Sequence, residues 1–166
     1  MHGQTVQPDQ LESLAALGMA VSFFPSHTYF WGDWYRQVLF GEERTAFISP
    51  LASARNAGVR FSLHTDAPVT PIDQLQVAWS ANQRKTLTGA VVGAEESISI
   101  LHALRAMTID AAWQSGLEAD RGSIEVGKLA DFIVMSDDPT TVDDIRQLQI
   151  EAVYIGAKEM YRKNSR

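Results

Sequence analysis

The sequence predicts an α/β protein, and three observations carry that expectation. Helix-like and strand-like segments alternate over residues 1–116, which is the rhythm of a parallel sheet with crossover helices. Past Gly116 the texture changes to short alternating runs around glycines, so residues 117–166 read as a small β-rich unit. The 166 residues are 45% hydrophobic and 20% charged, close to the globular average. A chain of that size buries roughly 70% of its unfolded surface, enough for a core without staples.

The elements follow in order. Pro8 suits a first helical turn and Gly18 a stop, so a helix is expected from about 8 to 17, with Leu11, Leu14 and Ala15 on one face. The apolar run 19–24, closed by Pro25, reads as a buried strand. Residues 26–43 hold five aromatics in ten positions (27–36) without a helical or strand period, and read as a long loop of the kind that is often functional. A helix is expected over 50–57, then a strand over 59–63 ending in His64-Thr65-Asp66-Ala67-Pro68-Val69. Another helix is expected over 72–83, with Ile72, Leu75, Trp79 and Asn82 on one side. Residues 84–96 read as a polar connection. Ser99 and Thr108 are candidate caps of two further helices. Residues 122–128 read as a turn, 131–135 as a strand, and 150–161 as a hairpin around Gly156-Ala157-Lys158.

Composition excludes several classes. There is no cysteine, hence no disulfide framework and no cysteine-ligated metal. A formal charge of −6 suits solubility and suits a phosphate backbone poorly, so no nucleic-acid partner is expected. No apolar run approaches the about 20 residues of a membrane span, and the first five residues do not make a signal peptide. No membrane partner is expected, and the cytoplasm is the expected location. Glycine-rich phosphate loops, a G-x-S-x-G elbow and H-E-x-x-H are all absent. Asp137-Asp138 before Pro139 reads as a solvated turn, and the basic run 162–166 as a solvated tail.

Asp66 is the leading candidate for chemistry. It lies just past the C-terminal end of an expected strand, where α/β barrels carry their catalytic groups. A carboxylate there can bind a metal or take a proton from water; the alternative is a turn cap beside Pro68. His64, two residues earlier, shares its face if the strand period persists, and reads either as a site group or as a hydrogen-bonded structural histidine. His27 follows the earlier strand end, with Tyr29, Trp31 and Trp34 as an apolar wall for substrate or simply as packing. His2 sits at the chain start, where a frayed terminus is the default. His102, inside an amphipathic helix, reads as a packing residue.

The segment 64–69 resembles the Ser-Asp-Ala-Pro-Val last-strand motif of the amidohydrolase superfamily, in its amidohydrolase-3, YtcJ-like branch. His2-Gly3-Gln4-Thr5 is similar to the end of that branch's strand-six motif, and residues 23–33 to its strand-seven segment. Residues 103–112 resemble the helix after the last strand. Gly122-Ser123-Ile124-Glu125-Val126-Gly127-Lys128-Leu129-Ala130-Asp131-Phe132 resembles the stretch that returns the chain to a small β-sandwich beside the barrel. These motifs occur in family order and cover nearly the whole chain.

The resemblance implies the C-terminal part of a (β/α)₈ TIM barrel over 1–116, strands six to eight, and part of a composite β-sandwich over 117–166. It implies a hydrolase of non-peptide C–N bonds, amide or N-formyl in type, using one or two divalent metals, usually zinc. By position His2 matches a metal ligand. Asp66 matches the last-strand acid/base, which also touches metal. His27 matches a substrate-facing position. The resemblance carries no role onto His64, where many relatives have a small residue or Ser; His64, Tyr29, Trp31 and Trp34 remain substrate-binding candidates from the residues alone. The family's first-strand His-x-His pair and mid-barrel ligands are not in this sequence, and a complete barrel needs about 250 residues. With only His2 and Asp66 as ligands, an isolated chain is expected to hold no metal and to be inactive, since a catalytic zinc takes three protein ligands. The expected partners are a small amide-type substrate and either a second copy or the missing N-terminal part. The alternatives are one half of a split enzyme, or a non-catalytic oligomeric α/β interaction module.

Overall fold

The computed structural model describes residues 1–164. Its element order is α1 (Pro8–Ala16), β1 (Val21–Phe23), α2 (Ser26–Trp34), α3 (Gly41–Ala46), α4 (Leu51–Asn56), β2 (Phe61–Leu63), α5 (Gln74–Gln83), α6 (Ile100–Met107), α7 (Ile109–Gln114), β3 (Phe132–Met135), β4 (Ile150–Ile155) and β5 (Lys158–Arg162). A π-helical turn, Tyr35–Leu39, follows α2, and 3-10 turns lie at Ala94–Glu96 and Ile145–Gln147. No helix among the described residues is long and apolar enough to cross a membrane.

β1 and β2 are parallel neighbours, with Val21 opposite Phe61, Ser22 opposite Ser62 and Phe23 opposite Leu63. On the other side of β1, His2 makes a parallel bridge to Phe23, and the Phe24 amide donates to the His2 carbonyl at 3.3 Å. Three successive parallel strand positions therefore end side by side. The strand period sorts their residues. Val21, Phe23, Phe61 and Leu63 join Leu11, Leu51, Ala54, Val77 and Trp79 in the main core, while Ser22 and Ser62 turn to the opposite face. Burying each large apolar side chain of this set contributes about 1.5–3 kcal/mol.

The second sheet is antiparallel, in the order β3–β4–β5, with Phe132 stacked on Tyr154 at 4.6 Å between centroids. The expected hairpin forms there, turned by Gly156 and Ala157, both at positive φ. Asp137 and Asp138 lie in an exposed turn. Of the basic terminal run, Arg162 pairs with Glu159 at 2.5 Å; Ser165 and Arg166 lie outside the described residues.

The loop expected over 26–43 is instead helical, and burial on several sides explains the missing period. Ser26, Thr28 and Gly32 of α2 are buried. Tyr29 faces the main core; Trp31 packs on a second cluster of Tyr35, Ile48 and Val92. A helix enclosed this way has no single apolar stripe to read. Gly32 is needed for close approach: a Cβ there would lie 2.7 Å from the Thr86 side chain.

Smaller departures have local causes. α5 starts at Gln74 because the Asp73 carboxylate caps it, accepting from the Gln76 amide at 3.0 Å, which leaves Ile72 exposed. Ser99 caps α6. The Thr108 hydroxyl instead donates back to the Leu104 carbonyl at 2.7 Å and leaves α7 without a side-chain cap. The polar connection 84–96 contains Arg84, which is fully buried.

Candidate active site

The three parallel strand ends bring His2, His64 and Asp66 together. One ligand atom from each of the three lies within 4.8 Å of the others. His2 Nε2 stands 3.2 Å from Asp66 Oδ2, and the His2 and His64 rings are 5.1 Å apart at their centroids. His2 and Asp66 both adopt left-handed backbone, φ 71 and 56. Non-glycine residues held there by their surroundings cluster at functional sites. His2 is therefore built into the sheet and is not frayed.

His27, in the first turn of α2, closes one side. Its ring lies 4.4 Å from Phe24 and 5.9 Å from His2, with the Tyr35 hydroxyl 3.3 Å from its Nδ1. Tyr35 opens the π-helical turn, a feature frequent at functional sites. Trp31 packs on His27 at 5.5 Å. Phe24, a residue the sequence did not single out, stacks on His64 at 5.5 Å and lies between the two histidines; its place directly after the strand was the available signal. Tyr29 and Trp34 are not brought to the cluster. Tyr29 packs on Trp79, and Trp34 is half exposed beside Tyr35. His102 bonds to Ser99 at the start of α6.

The cluster keeps two of its imidazoles neutral. Burial pushes His27 down to about 4, and the nearby His2 pushes the same way, against the opposing Asp66 carboxylate. His64 is also lowered, mainly by burial and then by His2. Neutral imidazole is the form that ligates a metal. A stability consequence follows for the metal-free protein. As pH falls from about 6.5 toward about 4, the unfolded chain takes up a proton at His27 that the folded chain refuses. Stability is then full above that window and declines as pH falls through it. Denaturant midpoints measured from pH 7 to 4 should fall, and His27→Phe should flatten the decline.

A divalent metal fits the residues present. The three groups offer imidazole and carboxylate donors suited to zinc. His64 Nε2 is shielded from solvent and has no hydrogen-bond partner, an unusual condition for a buried polar atom that calls for a partner beyond the protein's own groups. Sequence reasoning counted two ligand candidates; the structure adds His64 as a third.

The profile of the amidohydrolase family matches residues 1–161. The chain belongs to the amidohydrolase family. This amidohydrolase chain is 29% identical to the N-substituted formamide deformylase of Arthrobacter pascens over 164 residues, 98% of this chain and 30% of that protein. It is 26% identical to putative amidohydrolase YtcJ of Bacillus subtilis (strain 168) over 169 residues, 99% of this chain and 32% of the relative. Among solved structures, an uncharacterized metal-dependent hydrolase from Pyrococcus horikoshii OT3 superposes with a TM-score of 0.77 at 26% identity, covering 89% of this chain and 30% of that one. The amidohydrolase chain thus spans about a third of the length of these relatives. Its mixed α/β architecture is that of a partial barrel with an attached β unit, in a family of metal-dependent hydrolases.

Proposed function

We propose that this chain supplies the last-strand acid/base and part of the metal centre of a hydrolase that cleaves a non-peptide C–N bond, amide or N-formyl in type. The observation that carries the reading is the convergence of His2, His64 and Asp66 donor atoms at adjacent parallel strand ends. Residues 1–116 form the barrel's last part and 117–166 the sandwich part in this reading. β2 has β1 as its only strand partner among the described residues, and a further barrel strand would pair with its other edge. The assembled enzyme is therefore this chain together with whatever supplies the family's first-strand His-x-His pair; the chain alone is expected to be inactive.

His2 and Asp66 would hold the metal, zinc by donor type. When bound, such an ion polarises the substrate carbonyl and makes water acidic enough to attack at neutral pH. Asp66 takes the proton from the attacking water and delivers it to the leaving nitrogen, so one carboxylate serves as base and then as acid. It is suited to both steps because its side chain is partly open, 26% exposed, and 3.2 Å from His2 Nε2. Trp31 supplies an apolar wall beside His27, with the buried Phe24 packed behind it. That wall, and the likeness to a protein named as an N-substituted formamide deformylase, favour an aromatic N-substituent on the substrate.

The test is formate release from an aromatic N-substituted formamide by the assembled enzyme, beside an acetamide of the same amine. Turnover of the formamide in excess of the acetamide is expected. No turnover of either compound would contradict the reading.

A further inference from the structure

A groove of about 260 Å³ lies where α4, the start of β2, α6 and α7 meet. It sits before Phe61, whereas His64 and Asp66 follow Leu63 at the other end of the strand. Four residue steps of extended chain, roughly 13 Å, separate Arg60 from His64. Arg55, Arg60, His102, Arg105 and Asp110 are its polar lining. Three guanidinium groups thus face one carboxylate, in a chain with 20 acidic residues against 14 Lys and Arg. That carboxylate is engaged: Arg60 Nε donates to Asp110 Oδ1 at 2.6 Å, and the same guanidinium lies 4.4 Å over the Trp113 ring. Arg60 is fixed on two sides, and its Nη nitrogens make no hydrogen bond among the described residues. Arg55 and Arg105 are exposed and pair with no carboxylate among those residues. Arg55 Nη1 donates instead to His102 Nδ1 at 3.2 Å, where an anion would be the stronger acceptor.

We propose that this groove binds a phosphate group, as the free ion or on a small phosphomonoester. Guanidinium forks match the paired oxygens of a phosphate, and the anchored Arg60 needs little reordering to meet one. A purely local role accounts for part of the charge. Arg55 and Arg105 stand in the last turns of α4 and α6, where each offsets about half an elementary charge at its own helix end. After both offsets and the Asp110 carboxylate, the groove keeps an excess of about one positive charge. The helix ends do not explain why three arginines from separate elements converge on one groove. The site is independent of the metal cluster, and its test does not depend on the hydrolase reading.

The test is a titration of the purified chain with inorganic phosphate, beside sodium chloride at matched ionic strength, read by ¹H–¹⁵N amide shifts. Saturable shifts centred on residues 55–61 and 102–110 are expected with phosphate and not with chloride. Exposed charge pairs are individually weak, so saturation belongs in the millimolar range. Arg55→Gln and Arg105→Gln should each weaken binding about 5-fold or more. Both side chains are exposed, so both variants should fold as the parent does. Glycerol phosphate bound more tightly than inorganic phosphate would assign the groove to an ester; equal or weaker binding would assign it to the free ion. Equal shifts in phosphate and chloride would overturn the proposal, and so would unchanged phosphate affinity in the two variants.

Discussion

Asp66→Asn should reduce turnover of the assembled enzyme by roughly 10²–10⁴-fold, the usual contribution of a positioned acid/base, with metal content largely retained. The asparagine keeps the size of the side chain and one oxygen able to face a metal, but it cannot carry a proton between water and the leaving nitrogen. Its backbone demand is also met, since asparagine tolerates the left-handed region where Asp66 sits at φ 56. The loss should therefore fall on kcat with little change in folding. Turnover within a few-fold of the parent would remove Asp66 from the chemistry.

Arg84→Met should produce the largest loss of stability. The guanidinium is fully buried and donates to the carbonyls of Val92 at 2.9 Å, Ser49 at 2.9 Å and Ile48 at 2.7 Å. It stays charged at neutral pH: burial pushes it down only to about 10, with Glu96 opposing. Methionine fills much of the volume and satisfies none of the three acceptors. Each buried acceptor left without a donor costs about 1–3 kcal/mol, so the variant should lose about 3 kcal/mol or more. For a chain of this length that lowers Tm by roughly 10 °C. The effect should reach the site, because the pinned segment also bonds to the strand position that carries His2, the Ser49 amide donating to the Gln4 carbonyl at 2.8 Å. A change below 1 kcal/mol in denaturant unfolding would show that solvent replaces these bonds.

Arg84 also shows where sequence reading stops. An arginine in a polar stretch reads as solvated, and no local pattern reveals that a carbonyl of its own connection and two from residues 48–49 enclose it. α2 was hidden for the opposite reason. Its sequence is rich in groups that bury, and burial on several sides removes the stripe that marks a helix. By contrast, α1, α4, the strands and the β4–β5 hairpin were legible, because proline, glycine and alternating apolar residues mark their limits locally.

The site was half legible. Asp66 and His64 follow β2 in sequence, so the strand's period was enough to single them out. His2 looked like a loose terminus until its bridge to Phe23 placed it beside β1; only the family motif pointed to it beforehand. Tyr29 and Trp34 were grouped with Trp31 by composition. A helix, unlike a loop, sends neighbouring side chains in different directions, and that separated them.

In the proposed function, a metal held among these strand ends drives cleavage of a C–N bond. The most direct measurement is formate release by the assembled enzyme after exhaustive chelation and again after one equivalent of Zn²⁺ is restored. Loss of release on chelation and recovery with zinc is the expected result. Undiminished release from protein shown to be metal-free would contradict a metal-dependent cleavage.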